Sequence, residues 1–400
     1  YPICFAVGGV ATDKWEIDNV SIKKLLGNHA SQPTTTKRPV LSSRVNLLTY
    51  SEDFTNAAWG KRGTCTITPN AIVAPDGTLT ADLVSGLGQA NDDVYYTSVG
   101  SYTPIWTPLT LSFWVSKVSS SGTLIVENSG GSAQGLWEVN LALLTSEWVE
   151  IDSTHPAVTV INPYTSRGTT ATGPWFKSAA GTLSLHIWGV DLRITQGSAT
   201  LPPYQSITTD TNYDTAGFPL YLKGDGVDDF MSTAAIDFTG TDKLALWAGV
   251  TKLDDTARIV AELSADTNGN EGSFYMVTGT NGGFTQAYTS MSRGAAHITT
   301  LQTAVYTGAP APDTAALTIT HDISGDLSTI KRNGVAGVNG TFDKGTGNFG
   351  NYPLYIASRA GTGVFFNGNL YPLIIAGALY DANTVAKMNA WTAQKTGVAL

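Results

Sequence analysis

Four groups of residues have the types and spacing to do chemistry. Planar aromatic side chains sit in polar, turn-rich stretches: Tyr95, Tyr96, Tyr102 and Trp106 in DDVYYTSVGSYTPIW, Trp175 in GPWF, and Tyr275 and Tyr288 with Arg293 further on. An exposed ring offers an apolar face, and polar groups beside it can fix hydroxyls, which together are what a sugar ring needs. The same rings serve equally well as packing between sheets, so these residues are candidates for sugar binding against that plainer role. Oxygen donors cluster twice: Asp225, Asp228 and Asp229 stand in GDGVDD, and Asp266, Asn268, Asn270 and Glu271 form an oxygen-rich loop. Hard cations such as calcium take several such oxygens, but tight turns also call for Asp, Asn and Gly. The second loop is not an EF-hand, because its glycine falls late and its twelfth position is Val277. Glu262 and Glu271 flank LSADTNGNEGS, and glycosidic hydrolysis needs two carboxyl groups about 5–10 Å apart across a cleft. Other catalytic signatures are absent: the sequence has no HExxH, GxSxG, P-loop or His/Cys cluster at metal spacing. The string Gly345-x-Gly347-x-x-Gly350 precedes a strand-like run, with no helix whose N-terminus could hold a pyrophosphate, and reads as a loop.

The elements that must position these residues are strands almost throughout. In LTLSFWVSKV (109–118), Leu109, Leu111, Phe113 and Val115 alternate with Thr110, Ser112, Trp114 and Ser116, the period of a half-buried strand. Similar runs at 123–127, 136–143, 147–152, 183–194, 243–252, 257–263, 273–278, 315–321, 328–332, 353–358 and 364–376 are bounded by Gly, Ser, Thr, Asn or Pro. Strand after strand without interleaved helices predicts an all-β chain of tandem β-sandwiches of jelly-roll type. Trp114, Trp148, Trp188 and Trp247 lie within strands and are expected in the core. One short helix is predicted at the C-terminal end, capped by Asp381 and stopped at Gly397, with Val385, Met388 and Trp391 facing inward.

Composition agrees and excludes several classes. Only 14% of the 400 residues are charged and 42 are glycine, which disfavours long charged helices and coiled coils. A hydrophobic share of 42% is enough to build cores rather than leave the chain disordered. The net charge of −9 argues against a nucleic-acid partner, which needs clustered Lys and Arg. No apolar run reaches the roughly 18–20 residues that span a bilayer, so no membrane insertion is expected. Cys4 and Cys65 are the only cysteines, too few for a disulfide scaffold.

Polar joints at 27–45 and 206–217 divide the chain into a first sandwich, 46–205, and a second, 218–400. Trp15-Glu-Ile-Asp18 echoes Trp188-Gly-Val-Asp191, and each leads toward a Gly and a Thr/Pro-rich stretch. Residues 1–26 are therefore expected to be the closing strands of an upstream β domain, a fragment of a longer array.

The run NLLTYSEDFTNAAWGK (46–61), the turn APDGTLTADLV (74–84) and the closing HIWGVDLRITQGSATLPPYQSITTD (186–210) resemble a module of bacteriophage tail proteins. That module is similar to jelly rolls of the galactose-binding-like, carbohydrate-binding-module type. FPLYLKGDGVDDFM (218–231), KRNGVAG (331–337) and YPLYIASRAGTGVFFNGNLYPLIIAGALYD (352–381) resemble a concanavalin-like, laminin-G-like lectin domain. The resemblance implies a non-enzymatic virion component, located on the extracellular particle. Its implied partners are other virion proteins, host-surface glycans and further copies of itself, taken as a trimer. It also implies a structural calcium between the opening and closing strands of the first sandwich, at Glu52, Asp53 and Asp191. A structural or cementing role without sugar binding is the alternative. A glycan depolymerase is less favoured, because Glu262-Leu-Ser-Ala-Asp266 lacks the E-x-D-x-x-E spacing of concanavalin-like glycosidases.

Overall fold

The computed structural model describes residues 29–89, 91–97, 107–119, 121–128, 135–165, 173–195, 203–209, 218–264, 271–296 and 303–400. Residues 1–26, expected as an upstream fragment, lie outside the described residues, as do Tyr102, Trp106, Asp266, Asn268 and Asn270.

The chain is all-β with one C-terminal helix, as its alternation predicts. After β1 (Val40–Ser42) come β2 (Trp59–Arg62), β3 (Thr66–Ile72), β4 (Ala81–Leu87), β5 (Asp93–Tyr96) and β6 (Leu109–Lys117). Then follow β7 (Thr123–Asn128), β8 (Leu136–Asn140), β9 (Val149–Ile151), β10 (Val158–Asn162), β11 (Pro174–Ser178) and β12 (Leu183–Ile194). Strands β2 to β12 form two antiparallel sheets, ordered β10-β8-β7-β11-β5-β2 and β3-β4-β12-β6-β9. Leu111, Phe113 and Val115 of β6 and Leu185, Ile187 and Val190 of β12 share one buried cluster with Val94, Val126, Trp137 and Phe176 of the other sheet. Burying such side chains stabilises the fold by about 25 cal/mol per Å² of apolar surface, which makes the period-2 alternation decisive. The alternation slips once. Between Trp188 and Asp191 the β6–β12 register shifts, and Gly189 takes the left-handed conformation (φ +63°) that the bulge requires.

The second sandwich comprises β13 (Tyr221–Asp225), β14 (Met231–Asp237), β15 (Lys243–Lys252), β16 (Arg258–Leu263), β17 (Phe274–Asn281) and β18 (Phe284–Ser292). It continues with β19 (Ala304–Tyr306), β20 (Asp313–Asp322), β21 (Leu327–Arg332), β22 (Val335–Ala336), β23 (Asn351–Ile356) and β24 (Asn367–Ala376), then α1 (Ala382–Thr396). The sheets run β1-β13-β24-β15-β20-β21-β22 and β14-β23-β16-β17-β18-β19. Leu244, Leu246, Val250, Leu317 and Ile319 pack in one cluster with Val260, Leu263, Phe274 and Met276. No helix among the described residues is long and apolar enough to cross a membrane. The Gly345–Gly350 string is a loop that leads into β23.

The stretch 27–45, read from composition as a linker, contributes to the second sandwich. Ser31 bridges Ser232, β1 pairs antiparallel with β13, and the Tyr221 hydroxyl donates to the Arg44 carbonyl. The chain re-emerges from the first sandwich beside its entry point. There the buried Gln205 accepts from Val45 N and Asn46 N through Oε1 and donates to Ser43 O through Nε2. The part of 206–217 that is described packs on the first sandwich, where Ile207 and Ser51 exchange hydrogen bonds.

Helix α1 starts and stops where expected. Asp381 accepts from Asn383 N and Thr384 N, and Gly397 closes it at φ +77°. Its inward face differs from the expectation. Thr392, Ala393 and Thr396 are buried, whereas Trp391 is 39% exposed. The helix lies across β15, β20 and β24 on the sheet's outer side, and Thr396 sits over Gly249 so closely that a Cβ there would come within 2.0 Å of the Thr396 hydroxyl.

Candidate functional site

Each sandwich has one outer face on which a tryptophan is covered by its own chain. In the first, Trp114 and Trp188 form a cross-strand pair on the outer side of the five-stranded sheet, not between the sheets. Segment 73–80 folds over them: Trp188 Nε1 donates to Thr80 Oγ1 at 2.9 Å, and Trp148 Nε1 to Val73 O at 2.8 Å. Tyr204 closes the cluster, its ring 4.8 Å from Trp188. In the second, Trp247 is 1% exposed beneath α1, with Nε1 donating to Asn389 Oδ1 and Tyr380 at 5.9 Å. All four tryptophans expected in the core therefore lie outside the two main cores: Trp188 and Trp247 are buried by a cover, and Trp114 and Trp148 are half-buried.

The three carboxylates placed at a calcium site are engaged separately. Asp191 is clasped by Arg193 through both oxygens and accepts from Gln205 N at 3.0 Å. Burial pushes the Asp191 carboxyl up against the pull of that guanidinium. Glu52 accepts from the Tyr204 hydroxyl at 2.9 Å, and Asp53 is exposed and turned to Thr55 N. Among the described residues, the acids near enough to share a cation are Asp225, Asp228 and Asp229. There Asp225 Oδ1 already accepts from the amides of Val227 and Asp228, the hydrogen bonds of a tight turn.

Of the aromatic candidates, Tyr95 and Trp175 come together. They are cross-strand partners on β5 and β11, with ring centroids 5.0 Å apart and planes inclined by 47°. Both point away from the core and are half-exposed, because their neighbours Val94 and Phe176 point inward. Gly60 stands beside Tyr95 on β2, where a Cβ would come within 2.3 Å of the ring, so only glycine lets the phenol lie flat there. Two ion pairs frame the rings. Arg62 clasps Asp93 through Nε (2.9 Å) and a second nitrogen, and its guanidinium carbon lies 4.5 Å from the Trp175 centroid. Lys177 meets Glu127 at 2.9 Å, and Glu127 is the cross-strand partner of Trp175. The Asp93 interaction, foremost, holds the Arg62 guanidinium protonated above its ordinary range. Sequence reasoning missed Arg62, since nothing local ties it to Asp93.

Two other aromatic candidates are core residues with no face left for a ligand. Tyr96 is 4% exposed and its hydroxyl bonds Thr49; Tyr288 is fully buried and donates to Asp313 Oδ2 at 2.7 Å. Tyr275 is half-buried on the outer side of the second sandwich's six-stranded sheet, and Arg293 is 8% exposed. Beside Tyr275 stands Glu262, which accepts from Ser264 Oγ at 2.6 Å and Arg359 Nε at 3.2 Å. Both Glu262 oxygens are thus engaged, while Glu271 is exposed at the start of the next strand's lead-in.

No protein-family model and no curated protein matches the chain. Similar solved structures include the CBM40 of the Ruminococcus gnavus IT-sialidase (11% identity, 43% of this chain and 97% of that chain, TM-score 0.30). Mouse laminin alpha1 domains LG4-5 match at 10% identity over 83% of this chain and 92% of that one, with a TM-score of 0.32. The CBM22-1-CBM22-2 tandem domain of Paenibacillus barcinonensis Xyn10C matches at 13% identity over 84% and 98%, with a TM-score of 0.28.

Proposed function

We propose that the chain is a non-catalytic glycan-binding protein whose first sandwich holds a sugar on the outer face of the β10-β8-β7-β11-β5-β2 sheet. The observation that carries this reading is the half-exposed Tyr95 and Trp175 pair, 5.0 Å apart and framed by the Arg62–Asp93 and Lys177–Glu127 ion pairs. The C–H face of a pyranose stacks on such rings, and the charged groups beside them supply donors and acceptors for its hydroxyls. Among the described residues, no nucleophile or acid pair adjoins the rings in a form that would cleave a glycosidic bond: Glu127 is held by Lys177 and Asp93 by Arg62. The resemblance of residues 46–210 to phage tail modules makes host-surface glycans the first ligands to test, with the chain as part of a virion. Repeated weak sites would then gain strength through multivalent display.

A glycan array followed by calorimetry tests the reading. Saturable binding that Tyr95→Ala and Trp175→Ala each abolish, in protein of unchanged melting temperature, is the expected outcome. Binding of a neutral glycan that survives both changes, or release of reducing ends by the wild type, rejects it.

A further inference from the structure

In the second sandwich, cross-strand register sets Ser232, Tyr355, Glu262, Tyr275 and Met291 in one row across β14, β23, β16, β17 and β18. The row lies on the outer side, because Leu263, Phe274, Met276 and Leu354 point into the core. Glu262 is 2% exposed and flanked on both sides by tyrosine. A buried carboxylate–guanidinium pair commonly adds no stability over well-packed apolar residues, so stability alone does not account for Glu262 and Arg359.

The segment that presents Arg359 carries a cost of its own. Ala357, Ala360 and Val364 all adopt left-handed backbone conformations, at φ +66°, +48° and +52°. For non-glycine residues, and for a β-branched one above all, each costs on the order of 1–3 kcal/mol. The loop is nonetheless tightly fixed: Ser358 is fully buried, Arg359 N donates to Gly363 O at 2.8 Å, and Thr362 N to Arg359 O at 2.9 Å. A strained loop and a buried ion pair thus converge on one guanidinium, which lies with its carbon 5.3 Å from the Tyr275 centroid. Glu262 takes the Nε of that guanidinium, and no hydrogen bond to its two terminal nitrogens is found among the described residues. The Arg359 side chain remains 31% exposed.

We propose that Arg359, held by Glu262 and lying over Tyr275, forms a second ligand site that takes the carboxylate of an acidic sugar, a uronic or sialic acid. The planar fork of a guanidinium matches a carboxylate with two parallel N–H donors. Glu262 fixes the fork in place, so little side-chain entropy is lost on binding. The tyrosine rings on either side of Glu262 supply the stacking surface. Because the site lies in the other sandwich, it stands or falls apart from Tyr95 and Trp175.

The test uses the full chain in a Tyr95→Ala/Trp175→Ala background, which silences the first face. Glucuronate and N-acetylneuraminate are titrated by NMR against glucose as the neutral control. Saturable binding of at least one acid, with glucose at least about tenfold weaker, is expected for the loss of a charge-assisted hydrogen-bond pair. Arg359→Lys keeps the charge and loses the fork, and it should weaken the acid by a similar factor. Arg359→Gln alone would strand a buried carboxylate, so the paired Glu262→Gln/Arg359→Gln variant keeps the fold testable and should abolish the preference. Equal binding of acid and glucose, unchanged binding in the paired variant, or no saturable binding of either acid overturns the proposal.

Discussion

The two outer faces of the first sandwich carry the same kinds of side chain and put them to opposite uses. On the five-stranded sheet, Trp114, Trp148 and Trp188 lie under segment 73–80 and Tyr204, and the indole N–H groups of Trp148 and Trp188 are satisfied by that cover. On the six-stranded sheet, Tyr95 and Trp175 stand half-exposed, and among the described residues the charged side chains that frame them are the Arg62–Asp93 and Lys177–Glu127 pairs. The second sandwich repeats the contrast, with α1 over Trp247 on one sheet and the half-buried Tyr275 and Tyr355, beside Glu262, on the other. Aromatic residues on a sheet's outer face are thus stabilising where the chain folds back over them and open to a ligand where it does not.

The largest expected effect is on the covered side. Trp188→Ala removes a side chain that is 4% exposed and should cost about 3–5 kcal/mol of stability, read by urea denaturation. Trp175→Ala, at a half-exposed position, should cost less than about 1 kcal/mol in the same assay. Similar losses at both positions would mean that the six-stranded face is covered as well.

A second contrast is set by pH. His321 is fully buried between Ser290 Oγ (2.9 Å) and Ser328 Oγ (2.7 Å), and burial pulls its imidazole down from the usual 6.5 to about 3. The unfolded chain therefore binds a proton near pH 6.5 that the folded chain refuses until about pH 3. This contribution to stability is complete above pH 6.5 and drains at up to about 1.4 kcal/mol per pH unit as the pH falls toward 3. Denaturation midpoints of the second sandwich followed from pH 7 to 4.5 should show that slope, and His321→Asn should flatten it. An unchanged slope in the variant would place the acid sensitivity elsewhere.

Ligand affinity gives a smaller but more specific effect. On the open face, Arg62→Ala should weaken glycan binding by about tenfold, near 1.4 kcal/mol, while leaving the Tyr95 and Trp175 rings in place. Calorimetry with whichever glycan the array identifies reads this directly. Full affinity in Arg62→Ala would assign recognition to the rings alone.

Much of the architecture was legible because burial on one side of a strand imposes alternation. In the run 109–118 the alternation places Leu109, Leu111, Phe113 and Val115 inward as expected, and it puts Trp114 on the side opposite Phe113, away from the core where it was expected. What alternation cannot reveal is whether an outward residue is later covered, which depends on where 73–80 folds. The same rule, pressed further, separates Tyr95 from Tyr96: adjacent strand residues face opposite ways, and Tyr96, two positions from Val94, must share its inward side. Arg62 and Arg359 were invisible because their partners, Asp93 and Glu262, are brought close only by sheet register and a strained loop. The partner of Asp191 was hidden for a related reason: past the bulge, Arg193, two residues on in regular register, points to the same side and clasps it.

The smallest effect is expected at Trp391, in the cover on the second sandwich. An apolar stripe of Val385, Met388 and Trp391 is the natural choice for the buried face of α1, yet Trp391 is 39% exposed and Asn389 faces the sheet. The surface beneath explains this: Thr318 and Gly249 flank Trp247, and Asn389 Oδ1 accepts from both Trp247 Nε1 (3.1 Å) and Thr318 Oγ1 (2.6 Å). Asn389→Ala should therefore cost about 1–2 kcal/mol, because it leaves two donors under the helix without an acceptor. Trp391→Ala, the larger deletion by volume, should change stability by less than about 0.5 kcal/mol. Thermal melts of the two variants decide between the alternatives. If Trp391→Ala were the more damaging, the helix would be seated by its apolar stripe. The reverse order means that polar contacts to Trp247 hold the cover in place.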